Sequence, residues 1–340
     1  MDWFERLTGF PETDPAATRS RLAVEGSELV SRVNGSRHGI GRLALCRLDA
    51  LRQRTFGLPA AGARTTLEVL TGDVRAMHAQ PAHAGALFQV ASQFTLLEMV
   101  SPEVSPEDGV TRYAHDRTQG PACAMAAGAA TIYRNYLVPV DGEPGQTRRR
   151  QIDALRPLGD ALAAQLSRPL QALWAMQNGY ALCHADALAA IGDFLRMAPA
   201  ATVDDLRGRL CIGWHEDVAV TDAPGPNPPR VSQAFCSALP VAYTPIAPAL
   251  WEPFARLVLE AAYEATLRAA VLQRHAGGSA QVLLTRLGGG AFGNLDPWID
   301  DAIERALAQV EWAGLEVKLV DFNANPPSNS AIAQRWAQGS

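Results

Sequence analysis

Residues 282–294 read Val-Leu-Leu-Thr-Arg-Leu-Gly-Gly-Gly-Ala-Phe-Gly-Asn. An apolar run of the kind that forms a buried strand ends in three glycines. A helical period returns beyond them, with Ile299, Ala302, Ile303, Ala306, Leu307 and Val310 at spacings of three and four. Asp296 is placed as the N-cap of that helix, Pro297 at its first position, and Gly314 at its end. Leu315 to Phe322 then reads as a last strand. Strand, glycine loop, helix and strand in that order imply crossover connections and a largely parallel, buried sheet. The triple glycine has two readings. It is a tight turn, or it is a loop whose N–H groups wrap an anion at the carboxyl end of a strand, beside a helix N-terminus. Asp296, Asp300 and Asp301 crowd the same turn and would repel an anion. No GKS or GKT follows, and the loop is not a GxGxxG in a first strand–helix unit. A nucleotide-hydrolysing P-loop and a dinucleotide fingerprint are therefore excluded.

The chain has 340 residues, enough for one large domain with insertions or for two. Hydrophobic residues at 48% against 19% charged imply a large core and argue against wholesale disorder. A net charge of −5 sets up no basic field, so duplex nucleic acid as a bulk ligand is disfavoured. No apolar run approaches the ~20 residues that a membrane span needs. The opening MDWFERLTGF lacks the basic start and apolar core of a secretory signal. Cysteines at 46, 123, 183, 211 and 236 form no CxxC pair, and the expectation is reduced thiols in a cytoplasmic protein.

Residues 1–60 read as a helical lead-in with a short strand at 42–46. Residues 65–74, TTLEVLTGDV, form a strand ending in a Gly-Asp turn, and Ala86 to Ala91 form a second, buried one. The segment 92–120 reads as a long polar loop, a length that is usually functional. A helix is expected over 121–136, and Ala/Leu-rich helices over 151–200. Strands are expected over 209–221 and 231–243, separated by an exposed loop at 222–229. Trp251, Phe254, Ala255, Val258, Leu259 and Ala262 mark one face of a helix.

Four of these pieces, in order, resemble the macrodomain family, which binds ADP-ribose. TTLEVLTGDV resembles its first core strand. FQVAS, beginning fourteen residues after Val74, resembles its second. LEAAYEATLRAA (259–270) resembles a helix of that family. VLLTRLGGGAFGN with VKLVDFN (317–323) resembles the diphosphate loop and last strand. The loop is most similar to the poly(ADP-ribose) glycohydrolase-like branch. The resemblance implies an α/β fold of three layers, α/β/α, with a mixed, largely parallel central sheet. It covers roughly 65–136 and 231–323. It implies a core at 61–323, an N-terminal extension at 1–60, a helical insertion at about 140–230 and a loosely held tail at 324–340. Residue by residue, it places Asp73 on the adenine amino group, with Phe322 stacked on adenine and Asn323 beside it. It sets Gly288, Gly289, Gly290, Ala291, Phe292, Gly293 and Asn294 around the diphosphate and distal ribose. Ala91 and Ser92 lie where the family has its Asn-Ala-Ala-Asn stretch, and Gln93 is the nearest amide to substitute for the asparagine that holds the distal ribose there. Gln119 and Gly120, before the helix, are the ligand contacts expected where the family's glycine-rich first loop is missing.

Cleaving a glycosidic bond needs a proton donor for the leaving group or a base for water, held near the anomeric carbon. Asp116 and Glu98 are the candidate catalytic residues. Glu98 follows the apolar run Phe94 to Leu97, where burial would raise its pKa. Asp116 has the rival role of capping the helix that follows. Tyr113, His115 and Gln119 are candidate substrate contacts, and Arg134 and Asn135 are assigned to structure. Glu103, Glu107 and Asp108 are expected to face solvent. Cys211-x3-His215 and Cys183-His184 lack the paired spacing of zinc ligands, so no metal is assigned. Ser232 and Cys236 lie in no nucleophile elbow, and Cys123 is assigned to packing. No cofactor is called for. The expected function is binding of ADP-ribose or an ADP-ribosylated macromolecule, with hydrolysis of the ADP-ribosyl glycosidic bond by carboxylate acid/base catalysis. The alternatives are a non-catalytic ADP-ribose or nucleotide reader, and an interaction protein that has kept the fold and lost the ligand.

Overall fold

The computed structural model describes residues 1–322 and 327–339. Two capped helices lead the chain. Asp2 caps α1 (Trp3–Thr8), and Asp14, followed by Pro15, caps α2 (Pro15–Ser20). Then come β1 (Leu22–Glu25), β2 (Glu28–Ser31) and β3 (Arg37–Gly39), a small antiparallel sheet that the helical reading of 1–60 does not anticipate. The chain continues through β4 (Arg42–Arg47), α3 (Leu48–Thr55), β5 (Thr66–Thr71), α4 (Val74–His78) and β6 (Leu87–Ala91).

The helix expected over 121–136 is two: α5 (Gln119–Ala126) and α6 (Gly128–Tyr136), broken at Ala127. Trp3 packs against Gly128 closely enough to leave no room for a side chain there, and the Thr131 hydroxyl donates to the Ala124 carbonyl at the break. A short pair follows, β7 (Pro139–Val140) and β8 (Glu143–Pro144), then α7 (Arg156–Leu166). Within the stretch read as helical, β9 (Trp174–Gln177) and β10 (Tyr180–Cys183) form a hairpin around Asn178-Gly179. Both turn residues have positive φ (47° and 83°), which is the signature of a tight two-residue hairpin turn. Next come α8 (Ala185–Met197), α9 (Ala200–Arg209), β11 (Cys211–Ala219) and β12 (Arg230–Cys236), which stops short of the expected Tyr243. The chain ends with α10 (Pro248–His275), β13 (Gln281–Leu284), α11 (Asp296–Ala308), β14 (Glu316–Asp321) and α12 (Pro327–Gln338). Leu295, not Asp296, occupies the cap position of α11.

Seven strands form the central sheet in the order β4-β11-β12-β6-β13-β14-β5. Five of them, from β12 to β5, run parallel, and β11 is antiparallel to both neighbours. Alternation along the strands assigns the layers. Phe88 and Gln233 face α4 and α5, where Phe88 stacks on His78 and Gln233 donates to the Cys123 carbonyl. Gln89 and Cys236 face the other way, toward Thr266 of α10. Helices therefore cover both faces, and the architecture is three-layer α/β/α. The expected face of α10 is fully buried.

Three sequence boundaries move. β4 lies within the presumed extension and β11 within the presumed insertion, yet both are strands of the central sheet, so cuts at 60 and at 140–230 run through it. The tail is not loose. Trp336 of α12 donates to the Thr65 carbonyl at 2.8 Å, and Arg64 stacks over its ring at 4.5 Å, covering the edge strand β5. The segment 92–120 is not a polar loop either: Phe94, Leu96, Leu97, Met99, Val104, Val110 and Tyr113 are buried, several against Trp3, Phe4 and Phe10. Glu12 fastens it from the N-terminal side, accepting from the Val110 and Thr111 amides and from the Tyr136 hydroxyl.

Candidate active site

The parallel strands deliver their carboxyl ends to one groove. β6 and β13 pair only at Leu87 and Phe88 and then separate. This splaying leaves Gln89 O and Ala91 N without a strand partner. Gln119 supplies one: its Nε2 donates to Gln89 O at 2.8 Å and its Oε1 accepts from Ala91 N at 2.9 Å. Gln119 lines the groove as a candidate ligand contact would, and its amide also acts as a short piece of sheet that fixes the start of α5. Gly120 follows for steric reasons. A Cβ there would overlap the Ala91 carbonyl oxygen and come within 3.1 Å of Glu98 Cγ.

The groove is two connected cavities of about 460 and 570 Å³ that share Asp116, Arg117, Gln119, Thr285 and Arg286. The first contains Asp73 and Phe322. Asp73 Oδ1 caps α4 by accepting from Arg75 N at 2.8 Å, and Phe322 is 70% exposed. Arg75 is held by Asp222. Asn323 lies outside the described residues.

The second cavity is bounded by the glycine loop, whose amides divide into two sets. Leu287, Gly289, Gly293 and Asn294 donate inward, to Tyr263 Oη, Arg286 O, Gly290 O and Gly288 O. The amides of Gly288, Gly290, Ala291 and Phe292 have no partner among the described residues, and those same four residues line the cavity. Gly288 (φ 74°) and Gly293 (φ 72°) hold a conformation that side chains disfavour, and both lie against neighbouring alanines. Gly290 has nothing within 4 Å of where a Cβ would be, so its bareness leaves open space rather than filling a tight turn. Gly289 faces Ile299 and Asn294 Nδ2 donates to Leu239 O, so both shape the loop from behind. The acidic crowd is also accounted for. Arg286 pairs with Asp296 and Asp300 at 2.7 Å each, and Arg256 with Asp301 at 2.6 Å. The repulsion expected from these carboxylates is offset locally, while Arg117 at the seam of the cavities has no ion-pair partner among the described residues.

Glu98 is 2% exposed and lines the second cavity. Its Oε1 lies 3.5 Å from Arg134 Nη2, and its Oε2 has no hydrogen-bond partner among the described residues. Burial raises its pKa to about 7, outweighing the opposing pull of Arg134 and Tyr113. Asp116 differs. It is half-buried, and its Oδ1 accepts from both the amide and the hydroxyl of Thr118. Tyr113, expected at the substrate, is instead buried behind Glu98 and accepts from its amide at 3.0 Å, while His115 sits exposed on the rim. Gln93 lines the cavity, but Oε1 accepts from Met99 N at 2.6 Å and Nε2 donates to Tyr180 Oη at 3.3 Å.

The far wall combines Tyr180, Tyr243 and Phe292, with ring centroids 5.1–5.5 Å apart. Tyr180 comes from the β9–β10 hairpin and donates to Met99 O at 2.6 Å. Asn178-Gly179 is the sequence signal that reveals this hairpin. Thr285, Arg286 and Tyr243 carry no comparable signal. All five cysteines are buried, burial raises each thiol, and no group of three or more His, Cys, Asp or Glu arranged to hold a metal occurs among the described residues. No described helix is long and apolar enough to cross a membrane.

The chain as a whole is similar to solved structures. The chain is similar to a poly(ADP-ribose) glycohydrolase from Thermomonospora curvata, 17% identical, with 94% of this chain and 97% of that one covered and a TM-score of 0.47. It is similar to the poly(ADP-ribose) glycohydrolase from Deinococcus radiodurans in complex with ADP-ribose, 12% identical, with 97% of this chain and all (100%) of that one covered and a TM-score of 0.48. No family model and no curated protein matches the sequence. None of these similarities assigns a role to a residue of this chain.

Proposed function

We propose that the groove binds an ADP-ribosyl group and hydrolyses its glycosidic bond, with Glu98 as the acid. One observation carries the reading: four glycine-loop residues with unpaired amides and the buried Glu98, one of whose carboxylate oxygens is unpaired, line the same cavity. The amides suit a diphosphate, which takes several N–H donors at once and needs close approach to bare backbone. Arg117 adds a cation at the seam. The adjoining cavity, with Asp73 Oδ2 and the Phe322 ring, suits an adenine amino group and base face. Tyr180, Tyr243 and Phe292 give the distal sugar an apolar wall. A carboxyl group poised near neutral pH is half protonated where it works, as general acid catalysis requires. Glu98 gives its proton to the leaving oxygen as the bond from the anomeric carbon breaks. It takes one back from the water that adds to that carbon. An ADP-ribosylated macromolecule fits as substrate because the groove is open along its rim. On this reading the hairpin segment belongs to the site wall and is not an independent unit.

The test is calorimetric titration with ADP-ribose, with AMP and NAD as controls, followed by hydrolysis assays on poly(ADP-ribose) and ADP-ribosylated peptide. Gly290→Glu places a carboxylate among the four amides where space exists, and it abolishes binding while leaving the fold intact. Glu98→Gln keeps binding and loses hydrolysis. Wild-type binding in Gly290→Glu would overturn the cradle. Asp116, tied to Thr118, leaves one free carboxylate where two were expected, and this favours a reader as the second reading. A wild-type protein that binds ADP-ribose and cleaves neither substrate would establish it.

A further inference from the structure

Behind Glu98 lies a charge that does not touch the groove. Arg134 on α6 is fully buried and lines neither cavity. Its Nε donates to Leu96 O at 3.0 Å, and its Nη2 donates to Thr131 Oγ1 at 3.0 Å and reaches Glu98 Oε1 at 3.5 Å. Its guanidinium lies 3.8 Å from the centre of the Phe235 ring. Leu96 has φ 62°, a left-handed conformation that leucine disfavours and that surrounding packing must hold. A single guanidinium thus grips the carbonyl of a strained turn and the carboxylate two residues further on.

We propose that Arg134 is a positioning residue that anchors Glu98 Oε1 from behind and so presents Oε2 to the substrate. The proposal rests on the reading of Glu98 given above. The other titratable groups around the pair are Tyr113 from the turn before α5, Cys123 from α5 and His215 from β11. Burial holds His215 neutral, with its pKa down to about 3, and raises the Cys123 and Tyr113 values far above theirs in water. Arg134 is the one cation within ion-pair distance of Glu98 among the described residues, while Arg117 and Arg286 line the same cavity as Glu98. Arg134 resists the upward push of burial, so without it Glu98 keeps its proton to higher pH.

The experiment is a set of pH–rate profiles for poly(ADP-ribose) hydrolysis by wild type, R134M, R134K, T131V and E98Q, each also titrated with ADP-ribose. In R134M, kcat falls by ~10²-fold with ADP-ribose affinity unchanged, as expected when a reacting group is misplaced by about an ångström. Its alkaline limb also moves up by about one pH unit or more. R134K keeps the limb near its original place and recovers part of kcat. Folded R134M with wild-type kcat and limb overturns the proposal. Should R134M fail to fold, T131V decides. It keeps the charge but releases Nη2, so kcat falls while the limb stays, and wild-type kcat overturns the proposal. Hydrolysis surviving in E98Q sinks the Glu98 reading and this one with it. An inactive E98Q beside normal R134M and T131V sinks this one alone.

Discussion

At the scale of single residues, the three glycines that open the loop do different work. Gly288 has φ 74° and lies against the Ala238 methyl, so Gly288→Ala should cost about 1–3 kcal/mol in urea denaturation. Gly290 meets open space, and Gly290→Ala should stay within about 0.5 kcal/mol of wild type. Equal losses in the two would show that the loop is built otherwise. Glu98 makes a second prediction. Its pKa rises on folding, so its contribution to stability is fully present below the ordinary carboxylate range, near pH 4.5, and is lost as pH climbs through about 7. Melting temperatures of Glu98→Gln should therefore fall less than those of wild type between pH 5 and 8. An unchanged difference across that range would mean that Glu98 is ionised throughout. Much of this was legible in the sequence, since the loop, Glu98 and the effect of its apolar neighbours all follow from residue order. The pairing of Arg286 with Asp296 and Asp300 was not, because charge position along a chain does not tell which cation folds back.

At the scale of elements, the hairpin Trp174–Cys183 and the helix pair 119–136 show where periodicity misleads. Ala-rich composition outweighed the Asn178-Gly179 turn in the sequence reading, although that dipeptide between alternating apolar residues is the stronger local signal. The break at Ala127 depends on Trp3 packing against Gly128, a contact between residues far apart in sequence. Gly179 (φ 83°) presses on Gln93, leaving only 2.6 Å between a Cβ added there and Gln93 Cβ. Gly179→Ala should therefore loosen the hairpin and disturb Gln93 together. The check is ADP-ribose titration beside thermal melting, and a melting loss with untouched affinity would mean that Gln93 does not depend on the turn.

At the scale of the whole molecule, the helices on one face are joined by a buried ionic knot. Glu264 of α10, its side chain fully buried, accepts from Arg52 of α3 and Arg305 of α11 and lies 3.3 Å from Arg268. These arginines hold its pKa near 2 against the upward pull of burial. Its contribution to stability is therefore present above the ordinary carboxylate range and is lost as pH falls from about 4.5 toward 2. Glu264→Gln should cost on the order of 3–5 kcal/mol at pH 7, read from chemical denaturation, because three cations would be left short of a partner. A cost below about 1 kcal/mol would mean that the knot is solvated. The layered sheet was readable from strand and helix patterns. The domain limits were not, because β4 and β11 enter the sheet from segments with no resemblance to guide them. One link seen in the groove reaches to the end of the chain. Arg286, which steadies the acidic turn beside the glycine loop, also donates to Asn329 of α12 at 3.0 Å. A purification tag or fusion partner that tugs on that last helix would thus be felt at the glycine loop, and a C-terminally tethered preparation would understate ligand affinity for purely mechanical reasons.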